Sequence, residues 1–300
     1  MKKLFFLLSV SLIYISCEKV IPFEGDVNIP KLVINSIFQS DSTFKVHVSS
    51  SRSVIDTNSF QNIEDAIVTI KDDNGSIIET LNYVENGFYI GQTFPQENQT
   101  YNLEVTHPNY PNVTSSDSLP SPIIINGIDT TSIVDPINGD RLQITLDFND
   151  PENAQNYYLI ETYSVNEYLL IKNSDTTEYE LDTIKQFMIL TDEVFQNGGS
   201  PFREQGLFND LLFNGQNKAL ELEIPYENYS GIEVGYEWSY KTLSVRVYLH
   251  NISKSYYYYR TSLELFQNAS GNPFAQPVQV FSNVENGFGV FAGSQISFFD

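Results

Sequence analysis

The chain has 300 residues, of which 16 are basic and 38 acidic, for a formal net charge of −22. That balance repels nucleic acid and anionic surfaces and excludes nucleic-acid binding as a primary role. A hydrophobic share of 41% marks a globular rather than a disordered chain, and a single cysteine excludes any intramolecular disulfide.

That cysteine, Cys17, follows Lys2-Lys3, an apolar run from Leu4 to Ile15 broken only by Ser9 and Ser11, and Ser16. A basic start, a short apolar stretch and a small residue before the cut form a secretory signal, too short to span a bilayer. With cysteine first after the cut, residues 1–16 together with Cys17 resemble a bacterial lipoprotein signal. The resemblance implies a diacylated Cys17 thiol and an acylated amine, which together hold a protein stably to outer-membrane lipid. Residues 17–30, with Pro22, Gly25 and Pro30, read as the lipidated tether.

Residues 31–121 read as short strands. Phe44, Val46 and Val48 alternate with Lys45, His47 and Ser49, and Tyr101, Leu103 and Val105 alternate again. Asp73-Asn74-Gly75 marks a hairpin turn because its residues tolerate positive φ, and Asn86-Gly87 introduces the next strand. The pattern predicts an antiparallel β-sandwich. Gly87-Phe88-Tyr89, Tyr101 to Val105 and Pro108-Asn109-Tyr110 resemble the Ig-like sandwich of the transthyretin-like or carboxypeptidase-regulatory type.

Leu119-Pro120-Ser121-Pro122 is the expected domain boundary, since two prolines in four residues interrupt strand pairing. Residues 122–300 then predict a second β-rich domain that resembles a fibronectin-like sandwich. Leu142 to Phe148 alternates cleanly, and Tyr157 to Leu170 is a long aromatic-rich strand. Residues 172–218 are less regular and read as an insertion. From the N-cap Ser253, Tyr256, Tyr259, Leu263 and Phe266 recur at helical spacing, with Gly271 past the end, which predicts one helix over about 254–268. Val278 to Phe281 and Gly289 to Phe299 read as closing strands. The fold class is therefore mainly β, in two sandwich domains with one helix.

Signals of chemistry are sparse. His47, His107 and His250 have no metal-ligand spacing and read as surface residues. No G-x-S-x-G elbow, P-loop or H-E-x-x-H is present. Asp135, Asn138 and Asp140 surround Gly139 and offer oxygen ligands for calcium, as do Asp147, Asn149, Asp150 and Glu152. Turn formation by Asp, Asn and Gly explains both clusters and is the preferred reading, so no cofactor is expected. The 19 Tyr and 21 Phe suit binding surfaces as well as β cores. Phe202, Phe208 and Phe213 cluster with Leu207, Leu211 and Leu212 in the irregular stretch. Phe274, Phe288 and Phe291 follow among Gly, Asn and Pro. These two segments are the expected partner surface.

Several blocks carry a wider resemblance: Cys17 to Ile21, Pro30 to Asn35, Leu211-Leu212-Phe213-Asn214-Gly215, Ser255-Tyr256-Tyr257, Gly271-Asn272-Pro273-Phe274 and Ser282 to Phe291. On these the chain resembles an uncharacterised family of Bacteroidota outer-membrane lipoproteins of the DUF4249 type. The resemblance implies a lipid-anchored outer-membrane protein, facing the cell surface rather than the periplasm. It implies a non-enzymatic role as accessory or substrate-capture partner of a TonB-dependent transporter. A cell-surface hydrolase and a structural or adhesive envelope module are the alternatives. It also implies O-glycosylation at Asp-Ser/Thr pairs, here at Ser42, Ser118, Thr130, Thr176 and Thr183.

Overall fold

The structure, a computed structural model, describes residues 29–53, 60–134, 139–152, 154–172, 176–195, 202–226, 228–233, 236–270 and 274–299. Cys17, Asp135 and Asn138 lie outside the described residues.

Alternation of buried and exposed positions is clearest in three of the first eight strands, those over 32–38, 45–50 and 100–107. The eight are β1 (Leu32–Phe38), β2 (Lys45–Ser50), β3 (Ile67–Lys71), β4 (Ile77–Thr80), β5 (Asn82–Glu85), β6 (Phe88–Ile90), β7 (Thr100–His107) and β8 (Tyr110–Ser118). In β7 every second residue, Tyr101, Leu103, Val105 and His107, is buried. The expected turns form: Gly75 has φ +81°, and the Asp72 carboxylate accepts from the Asn74 and Ser76 backbone N–H groups at 2.9 and 2.8 Å.

The second half adds β9 (Ile125–Ile133), β10 (Arg141–Asn149), β11 (Tyr157–Lys172), β12 (Thr176–Lys185), β13 (Met188–Ile189), β14 (Phe202–Arg203) and β15 (Gly206–Asn209). After these come β16 (Asn217–Pro225), β17 (Asn228–Glu233), β18 (Tyr236–Ile252), the helix α1 (Lys254–Ala269) and β19 (Phe288–Phe299). The stretch read as an irregular insertion thus contributes regular strands, and β12 and β15 both pair with β11. Val278 to Phe281, expected as a strand, carries no regular structure.

The strands form three sheets. A ten-stranded sheet runs β12-β11-β18-β19-β1-β2-β6-β5, with β15 also on β11 and β17 on β18. A five-stranded sheet runs β14-β13-β16-β10-β9, and a four-stranded sheet runs β4-β3-β7-β8. Side chains paired in register share a face, so Ile34 and Phe38 of β1, Phe291 of β19, and Val247 and Leu249 of β18 all point the same way. The two smaller sheets pack side by side on that face, and each encloses its own core.

In the first core Leu32, Ile34, Val46 and Val48 meet Val68, Ile70, Leu103 and Val105. In the second, Ile144, Leu146 and Phe148 meet Tyr158, Ile160, Leu220, Leu222 and Leu249. Leu119 belongs to the first core and Ile123 to the second, so the chain changes core across Pro120 and Pro122. The expected division at 121 nevertheless leaves out one strand. β19 pairs antiparallel with β18 and parallel with β1, and its Phe291 lies 4.7 Å from Phe38 in the first core. A side chain at Gly293 would collide with the Ser118 carbonyl, so this crossing of β8 over β19 requires glycine.

The helix forms where its spacing places it. The Ser253 hydroxyl accepts from the Tyr256 N–H at 3.2 Å, and at the other end the Ser270 N–H bonds the Phe266 carbonyl at 3.0 Å. It packs on the opposite face of the shared sheet, where Tyr257 joins Tyr157, Leu159 and Ile252.

Candidate functional site

The expected partner residues do not form one surface. Phe208 and Phe291 are both 0% exposed and Phe213 is 5% exposed, so these three are core residues. Phe208 stacks on Tyr158 at 5.0 Å, and Phe213 meets Phe148 edge-on at 5.9 Å. Burial of apolar rings outweighs solvation wherever a strand offers an inward position, and β15 offers one to Phe208. Phe202 stands in β14. Phe274 is 93% exposed, and Phe288 lies at the start of β19 with the Lys31 ammonium 5.3 Å above its ring. The late sequence block that includes Phe291 is structural: the Asn283 side chain donates to the Phe291 carbonyl at 2.7 Å and accepts from its N–H at 3.1 Å. The Glu285 N–H bonds the Thr114 carbonyl of β8 at 2.8 Å.

The other expected positions scatter. Ser42, Thr130 and Thr183 are exposed, as are Asp41, Asp129 and Asp182. Ser118 is exposed while its neighbour Asp117 is partly buried, and Thr176 opens β12. Among the described residues no three of His, Cys, Asp or Glu gather as metal ligands. The backbone carbonyl of Asp140 accepts from the Tyr226 N–H at 3.0 Å.

Two histidines read as surface residues, His107 and His250, are buried. His250 is the more informative. Its Nδ1 lies 3.3 Å from the Ser294 hydroxyl and its Nε2 3.9 Å from a Glu161 oxygen. A serine, a histidine and a carboxylate in that order invite comparison with a nucleophilic triad. Access decides the matter: Ser294 is 1% exposed, so no substrate reaches its hydroxyl in this structure. Burial pushes the His250 imidazolium down towards the neutral form, against the pull of Glu161. Burial also disfavours charge on Glu161, but Lys185, at 2.7 Å, and Gln205 hold its carboxyl below the usual range.

The acidic turn after β10 is equally structural. The Tyr158 hydroxyl donates to Asp150, whose other oxygen accepts from the Gly215 N–H at 2.8 Å. Asp210 accepts from the Asn156 N–H at 2.7 Å, and burial raises its carboxyl, with Asp150 adding to the effect. These bonds tie the entrances of β11 and β16 to the exits of β10 and β15.

What stands out instead is a ribbon built from the far halves of β11 and β18, flanked by β12 and β17. It begins where the second core ends. There Thr242 donates to the Asn166 side-chain carbonyl at 3.0 Å, and the Asn166 amide donates to the Ser164 hydroxyl at 2.8 Å. The register between β11 and β18 shifts at this point, and the extra residue, Leu243, turns outward. Beyond it Tyr168, Tyr240 and Tyr229 are paired across three strands, and Leu170, Trp238 and Gly231 form the next row. Tyr229 and Tyr240 stack at 5.3 Å and 15°. A Cβ at Gly231 would lie 2.7 Å from the indole of Trp238, so only glycine lets that ring lie across β17. The other face carries a groove of about 550 Å³ lined by Leu169, Ile171, Ser230, Ile232, Glu237 and Ser239, with Ile232 82% exposed. Tyr179 and Leu181 of the edge strand β12 are exposed beside it. The aromatic richness of Tyr157 to Leu170 was visible in the sequence; the pairing that gathers it with Tyr229, Trp238 and Tyr240 was not.

The fold and this site together define a mainly β protein of two sandwiches on one shared sheet, carrying a partly exposed aromatic ribbon. The chain belongs to the family described as a domain of unknown function, DUF4249, which it matches over residues 18–297. No curated protein matches it.

Proposed function

We propose that the chain is a non-enzymatic binding protein, lipid-anchored at the outer membrane through Cys17, whose aromatic ribbon engages a partner protein. The partner class implied by the family resemblance is a TonB-dependent outer-membrane transporter, which the chain serves as accessory or in substrate capture. The observation that carries this reading is the ribbon itself. Tyr168 and Tyr229 are exposed and Trp238 and Tyr240 partly so, beside the buried Leu170, on strands that run past the core, and exposed apolar patches mark interaction sites. Tyr and Trp are enriched among the few hot-spot residues that dominate protein interfaces, each worth about 2 kcal/mol or more.

The test is co-purification from solubilised outer membrane. Replacing Tyr229 and Trp238 with Ser should release the transporter while circular dichroism and melting stay near wild type. Cys17→Ala should remove the chain from the outer-membrane fraction. A ribbon variant that still captures the transporter overturns the docking face, and an alanine variant that still fractionates with the outer membrane overturns the anchor.

A further inference from the structure

We propose that the groove between α1 and the outer face of β1, β2 and β6 binds a carboxylate-bearing sugar. It is an open groove of about 420 Å³, and its walls include Asn35, Lys45, Phe88, Tyr256, Tyr259 and Arg260. That volume falls within the range of roughly 300–1,000 Å³ typical of small-molecule sites. No Asp or Glu lines it, although acids outnumber bases 38 to 16 along the chain.

Among the cations of the chain some pair with a carboxylate and some are set over an aromatic ring, and Lys31 and Lys254, over Phe288 and Tyr258, belong with the second group. Lys71, Arg141, Lys172, Lys185, Arg203 and Lys218 each pair with a carboxylate. Lys45 and Arg260 have no carboxylate partner among the described residues. Each lies instead against an aromatic ring: the Lys45 ammonium is 4.3 Å from the Phe88 centroid, and the Arg260 guanidinium is 5.9 Å from that of Tyr256. The Arg260 Nη1 also reaches the Tyr256 hydroxyl at 3.5 Å.

In a chain of net charge −22, two bases on the walls of one groove with no acid lining it fit an anion, although Arg260 also borders a neighbouring pocket that holds Glu204 and Glu264. The rings and the side-chain amide and hydroxyl groups narrow its class. A uronic sugar offers C–H faces to Phe88, Tyr256 and Tyr259 and hydroxyls to Asn35. It also offers a carboxylate that a guanidinium can grip through two hydrogen bonds. Inorganic phosphate lacks the apolar face. The site is an open, shallow groove with the buried Val290 among its lining residues. The groove shares no residue with the aromatic ribbon, so the two readings stand or fall separately.

Titration calorimetry on the mature chain in detergent tests it. The probes are a uronic-acid trisaccharide, its neutral counterpart, inorganic phosphate and vesicles containing phosphatidylglycerol. The acidic trisaccharide should bind, and the neutral one at least about tenfold more weakly. Lys45→Gln and Arg260→Gln should each weaken binding about tenfold, the loss expected for one charge-assisted hydrogen bond, with melting unchanged. Lys71→Gln, which breaks an existing ion pair elsewhere, should leave binding as it was. Failure of the acidic sugar to bind, equal binding of the neutral one, or insensitivity to both substitutions overturns the site. Binding of phosphate or vesicles alone also overturns it.

Discussion

Asp117 shows how one side chain can join elements far apart in sequence. It accepts from the Ser253 hydroxyl and, at 3.3 Å, from the Gly293 N–H, so it links the end of β8, the cap of α1 and the middle of β19. Burial pushes its carboxyl up to about 6, although the Ser253 and backbone hydrogen bonds pull the other way. The folded state therefore holds the proton more tightly than the unfolded one, whose value is near 3.8. Stability from this group is fully present below the unfolded value and is lost as pH rises through the folded one. A folded value about two pH units above the unfolded one corresponds to about 3 kcal/mol. Asp117→Asn keeps an acceptor but cannot ionise. Urea unfolding at pH about 4 and about 7 should show the wild type losing more stability than the variant over that interval, and equal losses would refute the assignment. Residues of this kind escape a sequence reading. Phe208 and Phe274 are both phenylalanines in Gly- and Asn-rich surroundings, yet one is core and one is exposed, because only β15 turns its phenylalanine inward.

At the scale of elements, local signals were legible wherever the determinant is local. The α1 helix needs only its periodicity and the Ser253 cap, and both lie within a few residues. Ser253→Ala should cost about 1 kcal/mol, more than a cap alone if the Asp117 contact is lost with it. Chemical denaturation of Ser253→Ala, Asp117→Asn and the double variant measures this coupling, and strictly additive losses would show that the two side chains act independently. The ribbon was half legible. Alternating apolar residues announced β11, and the Tyr count announced an excess of aromatics. The register that sets Tyr168 beside Tyr240 and Tyr229 depends on the shift between β11 and β18 at Asn166. A one-residue slip there would move every ring to the other face, and nothing within a single strand fixes it.

The whole molecule is organised by its last strand. β19 lies between β18 and β1 and contributes Phe291 to a core otherwise made mostly of residues 32–119. The first sandwich should therefore not fold by itself. A fragment of residues 29–121 leaves β1 without its parallel neighbour and Phe38 without Phe291, and it should show no cooperative melt; a melt matching that of the full chain would refute the shared sheet. The sequence by itself determined the β class, most strand positions, the hairpin turns and the helix, along with an acidic surface and the resemblance to a lipoprotein signal. These follow from side-chain period, turn chemistry and charge, which act over a few residues or not at all through space. Only the tertiary structure decided which phenylalanines are core, that His250 and Ser294 meet in a buried position, and that Lys45 and Arg260 share a groove that no acid lines. Each of these depends on strands brought together from distant parts of the chain, where burial and register, rather than local propensity, determine the outcome.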